Sequence, residues 1–216
     1  TPRLSSAASD VYKRQTTSDK TKSNFNTWIQ GDYNDSNYFE DLDKYLNDLS
    51  ADKPEVDYKI TNDDDALYIY TSGTTGNPKA ATISHKRLRL MMLGFKGAIQ
   101  PNKNDRVYNV LPLYHSAGGV IAVGLALTSG ASLVLKRKFS VNEFWDDVYK
   151  YKVTIFQYIG ELCRYLLNAP THKYEKDHNL RMVTGNGLRP DIWDDFKERF
   201  NIKNILEFYG ATEGNV

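Results

Sequence analysis

A segment rich in glycine and in hydroxyl side chains follows a short apolar run in the first half of the chain. It reads YTSGTTGNPKAA from Tyr70 to Ala81. Glycines let the backbone turn and come close to a ligand, hydroxyl groups donate hydrogen bonds to phosphate oxygens, and Lys79 adds a positive charge. The segment is not a Walker A loop, because Gly76 is followed by Asn77 rather than by lysine and a hydroxyl residue. A polyphosphate-binding loop is therefore predicted, and a surface turn without a ligand is the alternative.

A second candidate segment stands at the end of the chain, where EFYGATEGNV runs from Glu207 to Val216. The ring of Tyr209 can cover a purine base, and the hydroxyl of Thr212 can donate to a phosphate. The carboxylate of Glu213 can bind Mg²⁺, which takes few carboxylates together with phosphate oxygens. Because ligand groups gather at the carboxyl ends of parallel strands, both segments are expected to open on the same edge of one sheet. For Glu213 taken alone, a solvated position without a ligand is the alternative.

The elements that must position these segments alternate between strands and helices. β-branched and aromatic residues indicate strands, and apolar residues at helical spacing indicate helices. The predicted strands are Ala66–Tyr70, which is expected to be buried, Arg106–Leu111, Ala131–Leu135, Val153–Tyr158, Leu180–Thr184 and Ile205–Phe208. The predicted helices are His85–Ile99, Gly118–Leu127, Val141–Tyr151, Gly160–Asn168 and Pro190–Phe200. This alternation predicts an α/β fold in which helices are layered on a largely parallel sheet.

The first 65 residues differ in composition from the rest of the chain. Residues 5–15, SSAASDVYKRQ, resemble the translated adapter of a sequencing library, so we predict that residues 1–15 are a non-native leader without function. A natural polar leader is the alternative. Residues 16–65 are polar and acidic, and we expect an approach segment with one short amphipathic helix within residues 37–49. Residues 66–216 carry both candidate segments and are predicted to form the folded domain.

The composition excludes several functional classes. With 216 residues, 40% of them hydrophobic and 25% charged, the chain is typical of a globular protein rather than a disordered or fibrous one. A formal net charge of +1 provides no basic field for nucleic acid, so no nucleic acid partner is expected. The single cysteine, Cys163, excludes an intrachain disulfide and a zinc site built from several thiolates.

Together the two segments resemble the adenylate-forming superfamily of acyl-CoA synthetases, luciferases and peptide-synthetase adenylation domains. Further segments narrow the resemblance to the fatty acid transport proteins, or very long-chain acyl-CoA synthetases. They are LPLYHSAGG from Leu111, FQYIGELCRYLLN from Phe156 and GNGLRPDIWDDFKERF from Gly185, joined by EFYGATEGN from Glu207. The resemblance is dense over residues 66–216. It implies that this region is part of a large AMP-binding domain and that the small C-terminal domain is absent.

The resemblance also implies roles for individual residues. The β- and γ-phosphates of ATP would be held by Thr71, Ser72, Gly73, Thr74, Thr75, Gly76 and Lys79. The adenine base would lie against Gly185, Asn186, Gly187 and Tyr209, with the loop continuing through Gly210 and Ala211. Thr212 would contact the α-phosphate, and Glu213 would bind the magnesium ion. The implied catalytic set is Lys79, His115, Thr212 and Glu213.

Two interpretations of His115 are open. The resemblance places LPLYHSAGG beside the reacting carboxylate, near the mouth of an acyl pocket. The other interpretation is a partly buried histidine whose ring nitrogens are satisfied by backbone groups. The apolar and aromatic residues Tyr158, Ile159, Leu162 and Leu166 likewise either line the acyl tunnel or belong to the core.

By resemblance, the intact parent is expected to be a ligase that activates a long-chain or very long-chain fatty acid with ATP and Mg²⁺ and transfers it to CoA. A lipid-uptake protein with a vestigial nucleotide site is one alternative, and a CoA ligase for a bile acid or a short hydrophilic acid is another. The ribose-binding aspartate, hinge arginine and C-terminal lysine of the family have no counterpart before Val216, so we expect this chain alone to be inactive. The resemblance implies an intracellular protein associated with the endoplasmic reticulum, peroxisome or plasma membrane.

Overall fold

The computed structural model describes residues 28–30, 40–71 and 79–210. The chain divides into two compact units, Thr1–Tyr58 and Lys59–Val216. In the first unit, strands β1 (Trp28–Ile29) and β2 (Glu40–Asp41) pair in parallel, and helix α1 (Leu42–Asn47) follows directly. The side chain of Asp41 caps this helix by accepting a hydrogen bond from the backbone of Lys44 at 3.1 Å. The predicted amphipathic helix is therefore present but shorter, and none of its residues is buried.

The second unit contains an antiparallel hairpin and a five-stranded sheet covered by helices. The hairpin pairs β3 (Asp65–Thr71) with β4 (Lys79–Ser84). The strands of the sheet are β5 (Arg106–Asn109), β6 (Ser132–Leu135), β7 (Ile155–Ile159), β8 (Met182–Asn186) and β9 (Ile205–Glu207). The helices are α2 (His85–Ile99), a π-helical turn (Ala117–Ala122) that continues as α3 (Val123–Ser129), α4 (Val141–Lys150), α5 (Gly160–Asn168) and α6 (Pro190–Arg199).

All strands of the sheet run parallel in the order β6-β5-β7-β8-β9, which confirms the predicted layered α/β fold. Successive residues of a strand point to opposite faces. Val107 and Ile155 therefore pack on one face with α2 and α3, while Tyr108 and Phe156 pack on the other with Phe144 of α4 and with α5 and α6. Because both faces are buried, the strands read as nearly continuous apolar runs, which is what made them predictable.

The hairpin departs from the prediction. A strand is present where Ala66–Tyr70 predicts one, but it is not buried, since Tyr68 is 61% and Tyr70 is 73% exposed. In the described part of the chain, β3 pairs with β4 and lies outside the five-stranded sheet. The expectation that both candidate segments open on the same edge of one sheet is therefore wrong, because β3 belongs to a different sheet from β9. Strand β4 was missed because the small residues of KAATIS have weak strand preference, so that pairing with β3 decides their conformation.

From His85 onwards, the predicted helices and strands match the structure to within one or two residues at their ends. One of them has an unforeseen geometry, since the helix predicted at Gly118–Leu127 begins as a π-helical turn. A Cβ atom on Gly119 would lie only 1.9 Å from the carbonyl oxygen of Leu113. The glycine thus allows the loop before the turn to fold back closely upon it. Among the described residues, no helix has the length and apolarity needed to cross a membrane.

Candidate functional site

Strands β7, β8 and β9 end side by side at the carboxyl edge of the sheet. Ile159 pairs with Asn186, and Gly185 pairs with Glu207, so the loops that follow these strands begin next to one another. The backbone N–H of Phe208 donates to the carbonyl of Gly185 at 3.0 Å and extends the pairing past β9. The edge therefore brings together two parts of the chain that the sequence predicted to face adenine.

The carboxylate of Glu207 ties the loop after β8 to the end of β9. Its Oε2 accepts a hydrogen bond from the backbone N–H of Gly187 at 3.0 Å, and its Oε1 accepts one from that of Leu188 at 3.0 Å. The hydroxyl of Tyr158 on β7 also donates to Oε1, at 2.5 Å. Burial, together with the neighbouring carboxylate, raises the pKa of Tyr158, so its hydroxyl remains a proton donor. One side chain thus joins three neighbouring strands at this edge.

The loop after β8 also lies directly against the start of α5. A Cβ atom on Gly160 would lie 1.6 Å from the carbonyl oxygen of Gly187, and one on Gly185 would lie 2.2 Å from that of Tyr158. Gly187 has a φ of +81°, a conformation that favours glycine. Gly185 is buried, whereas Asn186 and Gly187 are exposed. The glycines therefore serve close packing of the backbone, and Asn186 and Gly187 are the two of these loop residues that a ligand could reach.

Tyr209 follows immediately after this tied region. Its side chain is 90% exposed, and the adjacent Gly210 is exposed as well. An uncovered aromatic ring beside exposed backbone can form one wall of a slot for a planar base. Ala211, Thr212 and Glu213 lie outside the described residues, so their assigned roles remain predictions.

The predicted phosphate loop is described only at its two ends. Thr71 is the last residue of β3 and pairs with Lys79, the first residue of β4. Lys79 is exposed. The residues between them that were predicted to bind phosphate, Ser72, Gly73, Thr74, Thr75 and Gly76, lie outside the described residues. The hairpin therefore brings Thr71 and Lys79 together at the mouth of the loop, and phosphate binding remains a prediction.

His115 lies in the loop between β5 and the π-helical turn. Its Nδ1 accepts a hydrogen bond from the backbone N–H of Ala117 at 3.2 Å, which places the proton of the neutral ring on Nε2. One of the two interpretations expected a partly buried ring satisfied by backbone, and the structure shows the backbone contact but an exposed residue. The Nε2 atom is thus the one that could donate to a ligand.

Two positioning residues at this edge had no predicted role. Asn109 is fully buried, and its side chain holds the start of the His115 loop through two hydrogen bonds to the backbone of Leu111, at 3.0 and 3.3 Å. Glu207 holds the loop after β8. Each is the last residue of its strand, β5 or β9. A polar residue at the last position of a strand, directly before a loop, is the signal that could have identified them.

The residues proposed for an acyl tunnel divide between surface and core. Leu162 and Leu166 of α5 are buried in the core cluster, and Tyr158 is buried with them. Ile159 is 38% exposed at the carboxyl edge. The core interpretation therefore describes Tyr158, Leu162 and Leu166, and Ile159 is the member of the set that is exposed at the candidate site.

A metal centre is not evident in the part of the chain that the structure describes. No group of three or more histidine, cysteine, aspartate or glutamate side chains there could hold a metal ion. The predicted magnesium ligand, Glu213, lies outside that part, so the described residues do not test this prediction.

The chain is similar to known proteins over most of its length. The family model described as AMP-binding enzyme matches residues 4–216. Human long-chain fatty acid transport protein 1 is 53% identical over 153 residues, which are 71% of this chain and 24% of that protein. The medium/long-chain fatty acid–CoA ligase FadD6 of Mycobacterium tuberculosis is 42% identical over 177 residues, 82% of this chain and 30% of the relative. The chain thus spans well under half the length of these relatives.

The fold also resembles solved structures. The crystal structure of ATP-bound MatB from Rhodopseudomonas palustris superimposes with a TM-score of 0.69 at 26% identity, covering 80% of this chain and 34% of that one. The family match begins within residues 1–15, so it does not separate the predicted leader from the rest, and the leader remains a prediction.

Proposed function

This chain belongs to the AMP-binding enzyme family, and we propose that the protein of which it forms part converts long-chain or very long-chain fatty acids into CoA thioesters. In the first step a carboxylate oxygen of the fatty acid attacks the α-phosphorus of ATP, which gives acyl-AMP and pyrophosphate. In the second step the thiol of CoA attacks the acyl carbon and AMP leaves. The names of the similar fatty acid transport protein and CoA ligase support this substrate class.

The convergence of loops at the carboxyl edge of the sheet is the observation that carries the proposal. The exposed backbone follows β8, and the exposed ring of Tyr209 follows the neighbouring strand β9. Glu207 connects the two through its hydrogen bonds to the loop after β8. An adenine base would stack on the ring, and the amide of Asn186 would meet its polar edge. Burying one face of a base on an aromatic ring contributes about 1–3 kcal/mol, enough to orient the nucleotide.

The reaction concentrates negative charge at the α-phosphorus, and the residues assigned to the phosphates would offset it. Thr71 and Lys79 pair at the mouth of the predicted phosphate loop. Thr212 would donate to the α-phosphate. Mg²⁺, held by Glu213, would supply further positive charge at the same oxygens. Donors aimed at charge that develops in the transition state are the main source of catalysis in this chemistry.

His115 would act on the fatty acid side of the site. Because Nδ1 already accepts a hydrogen bond from the backbone, the ring is oriented and Nε2–H is the available donor. That donor would hold the carboxylate of the fatty acid in line with the α-phosphorus. Orientation of two reactants can contribute a large part of a rate enhancement.

The proposal is tested by pyrophosphate exchange in the full-length protein. Purified protein, ATP, Mg²⁺ and labelled pyrophosphate should yield labelled ATP when a fatty acid is present, and thioester should form when CoA is added. A competition series from acetate to very long-chain acids, with a bile acid included, would define the preferred substrate. Absence of exchange with every carboxylic acid in the series would overturn the proposal. Preference for a bile acid or a short acid would assign the same chemistry to another substrate.

A second candidate function is fatty acid uptake without catalysis, which the name of the similar transport protein favours. In that case the nucleotide site would be vestigial. Uptake of a labelled fatty acid by cells that express either the wild-type protein or its Lys79→Ala variant distinguishes the two. Equal uptake by both proteins would support transport without adenylation, whereas loss of uptake in the variant would tie transport to activation.

We further propose that the full-length protein is intracellular and works at the surface of a membrane, where long-chain fatty acids partition. The endoplasmic reticulum, the peroxisome and the plasma membrane are the candidates. Fractionation of cells that express the tagged full-length protein would identify the compartment, and recovery in the supernatant alone would contradict the proposal.

A further inference from the structure

Three hydrogen-bond donors from two separate parts of the chain converge on the carboxylate of Glu207. The backbone N–H groups of Gly187 and Leu188 lie 3.0 Å from its two oxygens, and the hydroxyl of Tyr158 lies 2.5 Å from Oε1. We propose that Glu207 is a positioning residue that sets the selection of the nucleotide base by holding the loop after β8 at a fixed separation from Tyr209. This inference rests on the proposed function, because it concerns the same nucleotide site.

The chemistry of the contact requires a carboxylate. Glutamate accepts hydrogen bonds at both oxygens, whereas glutamine of the same shape accepts at one and donates at the other. With glutamine, one of the two backbone N–H groups of the loop would face an NH₂ group and lose its acceptor. Hydrogen bonds to a charged acceptor are also stronger than those between neutral groups. The change from Glu207 to glutamine therefore disturbs the hydrogen bonds to the loop but preserves the volume of the side chain.

Glu207 is close in the chain to Tyr209, the residue proposed to stack on the nucleotide base. Glu207 lies two residues before Tyr209, and the residue between them, Phe208, is bonded to Gly185 on the neighbouring strand. The backbone that carries the exposed ring is thus held against the loop at two successive residues. Loss of the carboxylate would release the loop on one side of the base. On the other side, Phe208, the neighbour of Tyr209, would keep its backbone hydrogen bond to Gly185.

A role in stability alone would have different consequences. Glu207 is exposed, so its replacement opens no cavity in the core. The buried partner is Tyr158, whose hydroxyl would lose its acceptor. Tyr158→Phe removes this third donor but leaves both loop contacts, and it separates an effect on the core from an effect on the loop.

The first part of the test needs no reaction. Hydrogen–deuterium exchange of the full-length protein without nucleotide would be measured for the wild type, Glu207→Gln, Tyr158→Phe and Glu198→Gln. The last is a matched control, because it makes the same chemical change at an exposed position of α6. At least one of the Gly187 and Leu188 amides, the one that loses its acceptor, should exchange about tenfold faster in Glu207→Gln, as expected for one lost hydrogen bond to a charged group. Both amides should exchange at the wild-type rate in Glu198→Gln.

The second part measures base selection by pyrophosphate exchange with ATP and with GTP. In Glu207→Gln the KM for ATP should rise about tenfold, and the ratio of kcat/KM for ATP to that for GTP should fall about fivefold or more, with kcat changed much less. Tyr158→Phe should keep a ratio close to that of the wild type. A protein that is only less stable would lose active molecules without a change in this ratio.

The outcomes separate the two proposals. A wild type that lacks exchange activity would overturn the proposed function, and this inference with it. An active wild type whose Glu207→Gln variant keeps the wild-type amide rates, or keeps the wild-type KM and base ratio, would overturn this inference alone. The same changes in Glu198→Gln would mean that the loss of charge is responsible, and the same changes in Tyr158→Phe would assign the effect to the core. Either of these results would also overturn it.

Discussion

Arg181 and Asp105 form a bidentate ion pair at the amino edge of the five-stranded sheet, opposite the candidate site. Nε of Arg181 lies 2.8 Å from Oδ1 of Asp105, and Nη2 lies 2.7 Å from Oδ2. The hydroxyl of Thr154 donates to the same Oδ1 at 2.7 Å. These three residues directly precede β8, β5 and β7, so one buried carboxylate aligns the starts of three strands that end at the site.

Replacing Asp105 by asparagine should lower the free energy of unfolding by about 2–3 kcal/mol at neutral pH, because a buried, hydrogen-bonded charge is lost. Burial alone would raise the pKa of Asp105, but the hydrogen bonds from Arg181, Asn102 and Thr154 outweigh it and lower the pKa below 3.8. The charged form therefore stabilises the fold above pH 3.8, and this contribution disappears as the pH falls through the lowered pKa.

Urea denaturation of the full-length protein over a pH series checks this dependence. The gap in stability between the wild type and Asp105→Asn should shrink below pH 3.8. Asp194→Asn on the exposed side of α6 is the matched control and should show little effect at any pH. A gap that is constant from about pH 6 to about pH 3 would contradict the assignment of the pKa.

Gly160→Ala should weaken ATP binding, because the added Cβ atom would meet the carbonyl of Gly187 and push the loop after β8 away from α5. A forced backbone shift of this kind costs about 1–3 kcal/mol, which corresponds to roughly a tenfold or greater rise in the KM for ATP if the loop holds the base. Gly94→Ala is the control, because its added Cβ would meet no atom within 4 Å beyond its chain neighbours and the adjacent helix backbone. That variant should keep its KM and gain up to about 1 kcal/mol in helix stability. A normal KM in Gly160→Ala would remove the loop from the nucleotide site.

Tyr209→Ala should raise the KM for ATP by about tenfold or more, since base stacking on an aromatic ring contributes about 1–3 kcal/mol. The ring is 90% exposed, so its removal should leave the melting temperature unchanged. Tyr209→Phe keeps the stacking surface and should retain a KM close to that of the wild type. If Tyr209→Phe were as impaired as Tyr209→Ala, the hydroxyl rather than the ring would be the important group.

Lys79→Ala and Glu213→Ala should each reduce pyrophosphate exchange about a hundredfold if the proposed roles hold, because each would then remove charge aimed at the phosphates or the metal. Lys79 is exposed in the described hairpin, so its truncation opens no core cavity. Lys203→Ala, at an exposed position after α6, is the matched control for the lost positive charge. Unchanged exchange in Lys79→Ala and Glu213→Ala, measured alongside thermal melting, would refute both assignments.

Local sequence was enough to predict the type and order of the elements from His85 onwards. Helices such as α5 could be predicted because apolar residues recur at helical spacing, and strands such as β7 because burial on both faces leaves a continuous apolar run. The residue types of the candidate site were also visible, because glycine, hydroxyl and aromatic residues cluster directly after strands. These properties depend on near neighbours in the chain, which a sequence displays.

Contacts between distant residues were decided only by the tertiary structure. Arg181 and Asp105 are 76 residues apart, and Tyr158 and Glu207 are 49 residues apart, yet each pair shares a hydrogen bond. A charged side chain at a strand end is compatible with solvent or with a partner, and the local pattern is the same in both cases. The exposed position of β3 has the same origin, since its apolar and aromatic residues suit a buried strand, and pairing with β4 outside the main sheet determined where it lies. Strand order and register are set by packing over the whole domain. Only that packing brings Glu207 within hydrogen-bond distance of the loop after β8.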